Sequence, residues 1–242
     1  MFTNKFTGFP TTFLLLCLLV MTTVGFLPLQ KRDNTLTPKE KKEGWKLLFD
    51  GKSTRGWRTF KDKPADGWAV SGGELVCKKD DVTNRADLIT AEKYDNFELM
   101  FDWKIVPGGN SGVMYRVTED NGATYESGPE YSLIDDEGYP DKLNDVQKSG
   151  ADYDVHAPSA LKANPVGEYN HSKLVVNNSH VEHWLNGEKV VEFELWSPEW
   201  DQQKGKSKWK DVKSYAMSKT GHIALQDHGG GAWFKNVKIR KL

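Results

Sequence analysis

The stretch GHIALQDHGGGAWFKNVKIRKL, residues 221–242, decides how the rest of the chain is interpreted. Apolar residues alternate with smaller or polar ones on both sides of three glycines, which is the period of half-buried β-strands. Residues 229–231 permit backbone angles that other residues resist, so the sequence predicts a closing β-hairpin that turns after His228. Gln226 and His228 lie at the strand end, where a sheet would present them to a ligand. By strand parity Asp227 belongs to the apolar face, and we expect it to brace the turn.

Upstream of this stretch the same short alternation recurs between turn signals, and no segment shows a sustained helical period. The clearest strand is FELMFDWKI at 97–105, and Asn186-Gly187 is a strong hairpin turn between apolar runs. Many short strands of this kind predict an all-β sandwich or barrel. Besides the closing pair, strands are predicted at 45–49, 68–70, 74–77, 87–90, 97–105, 111–117, 130–135, 172–177, 181–185 and 189–195.

Composition excludes several classes of function. Lys and Arg number 33 against 34 Asp and Glu, so no basic surface indicates a nucleic-acid partner. The sequence contains no glycine-rich phosphate loop, no zinc-protease histidine pair and no Gly-x-Ser-x-Gly nucleophile motif. Nine Trp, eight Tyr and 11 Phe are expected mainly in the core, but aromatic rings also stack on sugars. A carbohydrate ligand is therefore the first hypothesis.

The N-terminus has the pattern of a secretory signal over residues 1–27. Lys5 precedes the apolar run FLLLCLLV at 13–20, and small residues follow it. The run is short for a membrane span. The sequence therefore predicts cleavage and export, to the periplasm or outside the cell, with an uncleaved membrane anchor as the alternative. Cys17 lies in this run, which leaves Cys77 unpaired and predicts no disulfide within the mature chain.

The remaining chain divides into a linker and one domain. Residues 28–43 are polar and charged and are interpreted as a linker, and the domain is expected over residues 44–242. Within it, residues 136–165 form a long loop rich in Gly, Pro and Asp, which is typical of a functional or disordered segment. Four acidic residues in and beside this loop could supply oxygen ligands for a divalent cation: Asp135, Asp136, Asp141 and Asp145. A solvated acidic loop is the commoner explanation for such a group.

The predicted strand EYSLID, residues 130–135, limits the possible chemistry. Its two acidic residues, Glu130 and Asp135, point to opposite faces. A retaining glycosidase needs two carboxyl groups about 5 Å apart, so a conventional two-carboxylate mechanism is disfavoured. His156 lies in the long loop near Asp154, where it is a candidate general base at neutral pH.

Polar residues on other strands are candidate ligand contacts. Asn110 lies in a glycine-flanked turn, and Arg116 shares strand parity with Met114, which would let it clamp substrate oxygens or orient the nearby carboxyl group. Glu182 and Trp184 share one strand face, and a carboxylate beside an indole is a candidate sugar contact. His183, on the opposite face of that strand, is expected to point inward.

Six motifs occur in order along the chain: FDG at 49–51, GNSGV at 109–113, PEYSLID at 129–135, GEYN at 167–170, VEHWLNG at 181–187 and GHIALQDHG at 221–229. With them, residues 44–242 resemble the 3-keto-disaccharide hydrolases, a family first catalogued as a domain of unknown function. The resemblance implies a secreted, concanavalin A-like jelly-roll sandwich that cleaves glycosides already oxidised at C3. Ser132 and Tyr169 depart from the Gln and Trp expected in many relatives.

The chemistry implied by this resemblance differs from that of ordinary glycosidases. A ketone at C3 makes the C2 hydrogen acidic, so the reaction needs one base, donors for the enolate oxygen and an acid for the leaving group. The alternative is a non-catalytic carbohydrate-binding module of the same fold. In either case no cofactor is predicted apart from the divalent cation left open above, and the oligomeric state is open. The candidate residues are Glu130 and His156 as base and acid, and Asn110, Arg116, Asn170, Glu182, Trp184, Gln226 and His228 as substrate contacts.

Overall fold

The structure is a computed structural model that describes residues 1–3, 5, 32–229 and 231–242. Arg32–Leu242 forms one compact unit. The predicted signal segment lies largely outside the described residues, and the export prediction stays a prediction. Among the described residues, no helix is long and apolar enough to cross a membrane.

The unit contains thirteen strands and two short α-helices within the part of the chain that is described. The helices are α1 (Pro38–Lys42) and α2 (Pro198–Lys204). The strands are β1 (Lys46–Leu47), β2 (Trp57–Thr59), β3 (Trp68–Ser71), β4 (Glu74–Cys77), β5 (Leu88–Thr90), β6 (Phe97–Ile105), β7 (Asn110–Val117), β8 (Glu130–Ile134), β9 (Asn170–Asn177), β10 (His180–Leu185), β11 (Glu188–Glu194), β12 (His222–Leu225) and β13 (Ala232–Lys241).

The strands form two antiparallel sheets. The large sheet has the order β11-β10-β9-β6-β13-β4-β3, with β1 paired to β13, and the small sheet has the order β2-β5-β12-β7-β8. Apolar side chains from both sheets form one core, such as Leu99 and Phe234 from the large sheet and Val113 and Leu133 from the small one. This confirms the predicted all-β jelly-roll sandwich. Every stretch predicted as a strand overlaps one, whereas β2 was not predicted because three residues show too little alternation.

The closing stretch corrects the prediction of a hairpin. Strand β12 lies between β5 and β7 in the small sheet, and β13 lies between β6 and β4 in the large sheet. Both faces of β12 are buried, because Ile223 and Leu225 join the main core while Ala224 packs with Ile89 and Met114 in a second apolar cluster. Alternation indicates a strand but does not identify its neighbours, since pairing depends on segments far away in sequence.

The folded unit begins before the predicted domain start. Asn34 is 8% exposed and its backbone N–H and side-chain oxygen bond to Asn236 at 2.6 and 2.8 Å. In α1, Glu40 completes a capping box and forms an ion pair with Lys238 of β13. Residues 32–43, interpreted from their polarity as a linker, are therefore anchored to the large sheet by contacts that composition does not reveal.

Candidate active site

A cleft of about 430 Å³ opens beside the small sheet. In this sheet β7 lies between β12 and β8. Gln226, the residue after β12, extends the pairing with β7 by donating its backbone N–H to the Gly112 carbonyl at 2.9 Å. On the other side of β7, Met114 pairs with Glu130 and Asn110 with Ile134, so residues of three adjoining strands border the cleft. The lining residues are Asn110, Tyr125, Glu126, Glu130, Tyr153, Lys208, Trp209, Val212, Gln226 and His228. The cleft thus brings together four of the candidates: Asn110, Glu130, Gln226 and His228.

Glu130 is the most perturbed carboxyl group of the cleft. It is 4% exposed and packs over Gly112, where an added Cβ would lie 2.6 Å from the Glu130 Oε1 atom. Burial raises the pKa of Glu130 to about 8, the charges of Asp87 and Asp152 raise it as well, and Lys208 lowers it. No hydrogen bond contributes to this shift. Glu130 can therefore exchange a proton close to neutral pH, as a general base or acid requires.

Lys208 is a functional candidate that sequence reasoning missed. It is an exposed residue whose ammonium lies over the rings of Tyr153 and Trp209, at 4.2 and 4.4 Å from their centroids. Partial desolvation lowers the pKa of Lys208, which Glu130 and Asp154 partly offset. No strand was predicted between residue 195 and the closing stretch, and no local pattern there marks a lysine that lines a cleft together with a buried carboxyl group.

Two loops that are distant in sequence form the wall behind Lys208. Its backbone N–H donates to Asp154 Oδ2 at 2.7 Å, and the Trp209 indole donates to the Tyr153 carbonyl at 3.0 Å. Trp209 also stacks on Tyr215, with ring centroids 4.7 Å apart. These contacts join the segment after α2 to the long loop 136–165, and that loop therefore contributes directly to the cleft.

Gln226 and His228 face the cleft from the end of β12. Gln226 is 8% exposed, and its Oε1 atom is buried without a hydrogen-bond partner. Such an acceptor is rare inside proteins, and a substrate hydroxyl would satisfy it. His228 is exposed. Between them, Asp227 accepts hydrogen bonds from Arg85 at 2.7 Å and from the Gly229 backbone at 3.1 Å, so it braces the turn as predicted.

Asn110 completes the set of predicted residues in the cleft. It is 8% exposed, and its amide lies 3.5 Å from the Tyr139 hydroxyl, a long contact that leaves the amide available. The second carboxylate of the cleft, Glu126, instead accepts hydrogen bonds from the backbone of Gly122 and Ala123.

His156 does not line the cleft. Its Nδ1 atom lies 3.0 Å from Asp152 Oδ2, and its ring stacks on Phe193 at 4.6 Å. The His156 imidazole is therefore paired with Asp152. This position does not favour direct contact with a substrate bound beside Glu130.

Arg116 lies away from Glu130, contrary to the parity argument. The pairing of β7 with β12 shifts between His222 and Ala224, and Arg116 has φ 55°. This β-bulge adds a residue to β7, so Arg116 leaves the face that bears Met114. Its guanidinium instead donates to the carbonyls of Asp95 and Asn178 and lies over the Trp196 ring.

Asn170 lines a separate cavity of about 560 Å³. Its Oδ1 atom accepts hydrogen bonds from the Asn164 backbone at 2.7 Å and from the Asn186 amide at 2.9 Å. These bonds connect the loop before β9 to the β10–β11 turn, so the Asn170 side chain stabilises the fold in this region.

Glu182 and Trp184 lie on the outer face of the large sheet and not in the cleft. The Trp184 indole donates to Glu182 at 2.7 Å, and the Lys173 ammonium lies 3.8 Å from the Trp184 ring centroid. His183, between them, is fully buried as predicted and bonds the Gly150 carbonyl at 2.9 Å.

Two of the four aspartates considered as cation ligands, Asp135 and Asp136, accept hydrogen bonds from backbone N–H groups. Asp135 accepts from the backbone of Gly108, Glu137 and Gly138, and Asp136 accepts from Ser149. Among the described residues, the side chains close enough together to hold an ion are His180, Glu182 and Glu192. The Lys189 ammonium already bonds both glutamates, at 3.3 and 2.6 Å.

The cleft of the β-sandwich thus contains one buried carboxyl group with a raised pKa, Glu130, among aromatic and polar side chains. Residues 44–240 match the family described as the 3-keto-alpha-glucoside-1,2-lyase-like domain, and the chain belongs to this family. It is 32% identical over 232 residues to a protein of Bacteroides thetaiotaomicron named 3-keto-disaccharide hydrolase, an alignment that covers 83% of this chain and 79% of that one. The resemblance found in the sequence is thereby confirmed.

Solved structures agree with this assignment. A protein of Parabacteroides distasonis, described as a candidate glycosyl hydrolase, superposes with a TM-score of 0.82 at 41% identity, over 87% of this chain and all of that one. A second protein of that organism, described in the same way, has a TM-score of 0.63 at 27% identity, over 82% of this chain and 99% of that one. Together with the family match, these relatives support the predicted glycoside hydrolase class of enzyme.

Proposed function

We propose that this protein cleaves the glycosidic bond of glycosides that carry a ketone at C3 of the sugar. The observation that carries the proposal is Glu130, a buried carboxyl group with a raised pKa and no hydrogen bond among the causes of that shift. Removing a proton from carbon is favoured by a strong base, and burial makes a carboxylate more basic. The name of the 32% identical relative supports the same substrate class.

The proposed reaction begins with transfer of the C2 proton to the Glu130 carboxylate. The C2–H electron pair moves toward the C3 carbonyl and gives an enolate, whose collapse expels the glycosidic oxygen from C1. A double bond remains between C1 and C2. Water then adds at C1 and C2 is protonated again, so the net change is hydrolysis. One carboxylate suffices for this sequence, whereas a two-carboxylate glycosidase would need a second group poised at the anomeric carbon.

The other residues of the cleft supply charge and hydrogen bonds. The Lys208 ammonium lies near Glu130 and favours its ionised form, and it is suited to stabilising the enolate oxygen or protonating the leaving oxygen. The unpaired Gln226 Oε1 atom accepts from a sugar hydroxyl, and Asn110 and His228 offer further polar contacts. The rings of Tyr153 and Trp209 provide apolar surface for a sugar face.

The test is a comparison of two substrates with the purified protein. A 3-keto-disaccharide is expected to be cleaved and its unoxidised parent to remain intact. Deuterium at C2 should slow the reaction, and in D₂O the product should carry deuterium at C2. Equal cleavage of both sugars, or cleavage with no isotope effect and no deuterium incorporation, would contradict the elimination mechanism.

A second candidate is a carbohydrate-binding module without turnover, and the aromatic lining of the cleft, with Tyr125, Tyr153 and Trp209, favours it. Calorimetry distinguishes the two functions. A module binds the sugar without releasing product and keeps its affinity in Glu130→Gln.

We also propose that the protein is exported, because residues 1–27 have the charge and apolar pattern of a cleaved secretory signal. Cell fractionation and N-terminal sequencing of the mature protein test this. Detection of the full-length chain in the cytoplasm alone would contradict it.

A further inference from the structure

A further cavity, which the proposed function does not use, lies beside the guanidinium of Arg116. It has a volume of about 190 Å³ and shares no lining residue with the cleft. Its lining residues are Asp95, Asn96, Arg116, Asn178, Trp196 and Lys219. This volume is several times the roughly 30 Å³ that one water molecule occupies in the liquid, so the cavity has room for a group of several heavy atoms.

Arg116 brings a buried positive charge to this cavity. The side chain is 2% exposed, and its Nη2 atom donates to the carbonyls of Asp95 and Asn178 at 3.1 and 2.7 Å. The Nε and Nη1 atoms are buried without a hydrogen-bond partner, so in the part of the chain that the structure describes no carboxylate bonds this guanidinium. A guanidinium stays protonated in proteins, and a buried charge is normally paired. The partner that Arg116 lacks is therefore an anion.

Two further donors border the cavity. Lys219 is exposed, and its ammonium lies 5.7 Å from the centroid of the Trp196 ring, while the Arg116 guanidinium carbon lies 5.4 Å from the same centroid. The Asn96 Oδ1 atom accepts from the Asn178 backbone N–H at 2.6 Å, which leaves the Asn96 amide N–H groups as donors. Two cations beside one ring, with a neutral donor next to them, are suited to hold the oxygen atoms of an anion.

Asp95 is the acidic residue among the described lining residues, and it does not neutralise Arg116. It is exposed, and its Oδ1 atom accepts from the Asn96 backbone N–H at 2.7 Å. Burial lowers the pKa of Arg116, and Tyr115 and the charge of Asp95 offset this only in part. With Lys219 added, positive charge exceeds negative charge among the lining residues.

The backbone around the cavity is also unusual. Arg116, Asn178 and Trp196 have φ values of 55°, 56° and 64°, in the left-handed region that residues other than glycine rarely adopt. Asn tolerates this region, whereas it is uncommon for Arg and Trp. Strained backbone of this kind persists where the surrounding structure holds it, and it is frequent at sites that bind ligands. The bulge in β7 and the turn after β11 thus bring a guanidinium and an indole together at the cavity.

We propose that this cavity binds an oxyanion, the class of group that includes phosphate, sulfate and carboxylate, between Arg116 and Lys219. The Nε–H and Nη1–H groups of Arg116 donate to its oxygen atoms, and the Asn96 amide adds a neutral donor. Hydrogen bonds between an arginine and an oxyanion are among the strongest in proteins because both partners are charged. The inference is independent of the proposed function, because the cavity and the cleft have no lining residue in common.

The test follows the arginine Nε–H signals of the full chain by ¹⁵N NMR while sodium sulfate or sodium phosphate is added. Sodium chloride keeps the ionic strength constant, so that screening does not change. We expect the Arg116 signal, assigned with Arg116→Met, to move saturably. Arg58 is the control within the same spectrum, since its guanidinium already donates to the Glu119 carboxylate at 2.8 and 2.6 Å, and its signal should stay in place.

Two lysine variants test the second cation. Lys219→Met should weaken sulfate and phosphate binding about fivefold, the size of effect expected for an exposed charge. Lys213→Met is the matched control, because Lys213 is also exposed and does not line the cavity, and its affinity should equal that of the wild type. Should Arg116→Met fail to fold, the Trp196 indole signal reports binding in the wild type, and the comparison of the two lysine variants decides.

A free inorganic anion and the carboxylate of an acidic sugar share this chemistry, and a titration with glucuronate distinguishes them. Tighter binding of glucuronate than of phosphate and sulfate assigns the cavity to an acidic sugar, whereas the reverse order assigns it to a free anion, and both results support the oxyanion site. Glucose is the neutral control. The proposal is overturned if none of the three anions moves the Arg116 and Trp196 signals saturably, if Arg58 moves equally, if glucose acts as glucuronate does, or if the two lysine variants bind with equal affinity.

Discussion

The cleft and the outer face of the large sheet contain the same ingredients in different arrangements. The cleft combines Glu130, Lys208 and aromatic rings, and the outer-face patch, which we define as Lys173, Glu182, Trp184 and Lys189, combines a carboxylate, an indole and lysines. In the patch the polar groups bond to each other: Glu182 accepts from Trp184 and Lys189. In the cleft the Gln226 oxygen has no partner, and no hydrogen bond contributes to the pKa of Glu130. Residue types therefore do not distinguish a binding site from a surface network, whereas unsatisfied polar groups in a concavity do.

The pKa values of Glu130 and Glu182 differ between the cleft and the outer-face patch in the same way. Burial raises the pKa of Glu130 to about 8. At Glu182 burial acts in the same direction, but hydrogen bonds from Trp184, His180 and Lys189 outweigh it, and the pKa is lowered. One carboxyl group is thus prepared to exchange protons near neutral pH, and the other remains ionised as part of a surface network.

The largest effect is expected from removing the ionisable group of the cleft. Glu130→Gln should lower kcat/KM for a 3-keto-glucoside by about 10²- to 10⁴-fold, the range typical of general acid–base catalysis. The matched change Glu182→Gln should alter it by less than about twofold, since exposed networks contribute little. Comparable losses in both variants would remove the distinction between the two regions.

Glu130→Gln should also change how stability depends on pH. The folded-state pKa of Glu130, about 8, exceeds the ordinary value of 4.5, so the folded state retains a proton that the unfolded state loses. The associated stability is complete below about pH 4.5 and is lost as the pH rises through 8. In thermal melts, the Tm of Glu130→Gln minus the Tm of the wild type should therefore be larger at pH 9 than at pH 5. A constant Tm difference would contradict the raised pKa.

A smaller effect is expected from removing the cation of the cleft. Lys208 lowers the pKa of Glu130, so Lys208→Met should move the acidic limb of the pH–kcat/KM profile to higher pH and reduce kcat/KM at pH 7 by about tenfold. Lys210→Met, at an exposed position two residues further on, is the control and should leave the profile in place. A shift toward lower pH would show that Lys208 does not act on Glu130.

The smallest effect is expected from the unpaired amide. Gln226→Leu should raise KM about 5- to 10-fold with a lesser change in kcat, because a single hydrogen bond contributes about 1 kcal/mol. Trp184→Phe provides the comparison on the outer-face patch, where loss of the indole bond to Glu182 should lower Tm slightly and leave KM unchanged. A KM effect in Trp184→Phe would indicate that sugar also binds to the large sheet.

The sequence indicated much of the cleft because its strand ends are local features. Asn110, Glu130 and Gln226 each lie at or next to the end of a predicted strand, and all three line the cleft. Arg116 was misplaced because a β-bulge reverses parity, and no residue type marks that bulge. Lys208 was missed because it reaches the cleft only through contacts between two irregular loops.

By itself the sequence determined the all-β class, nearly all the strands and the family, since these depend on the two-residue period and on motifs within short windows. Only the tertiary structure decided that the closing stretch 221–242 divides between two sheets, because strand partners are distant in sequence. It also decided the basicity of Glu130, which depends on burial and on Asp87, Asp152 and Lys208 from three other segments. Local alternation determines which face a residue occupies, but the pKa of a side chain depends on the charges and the solvent that surround it in the folded protein.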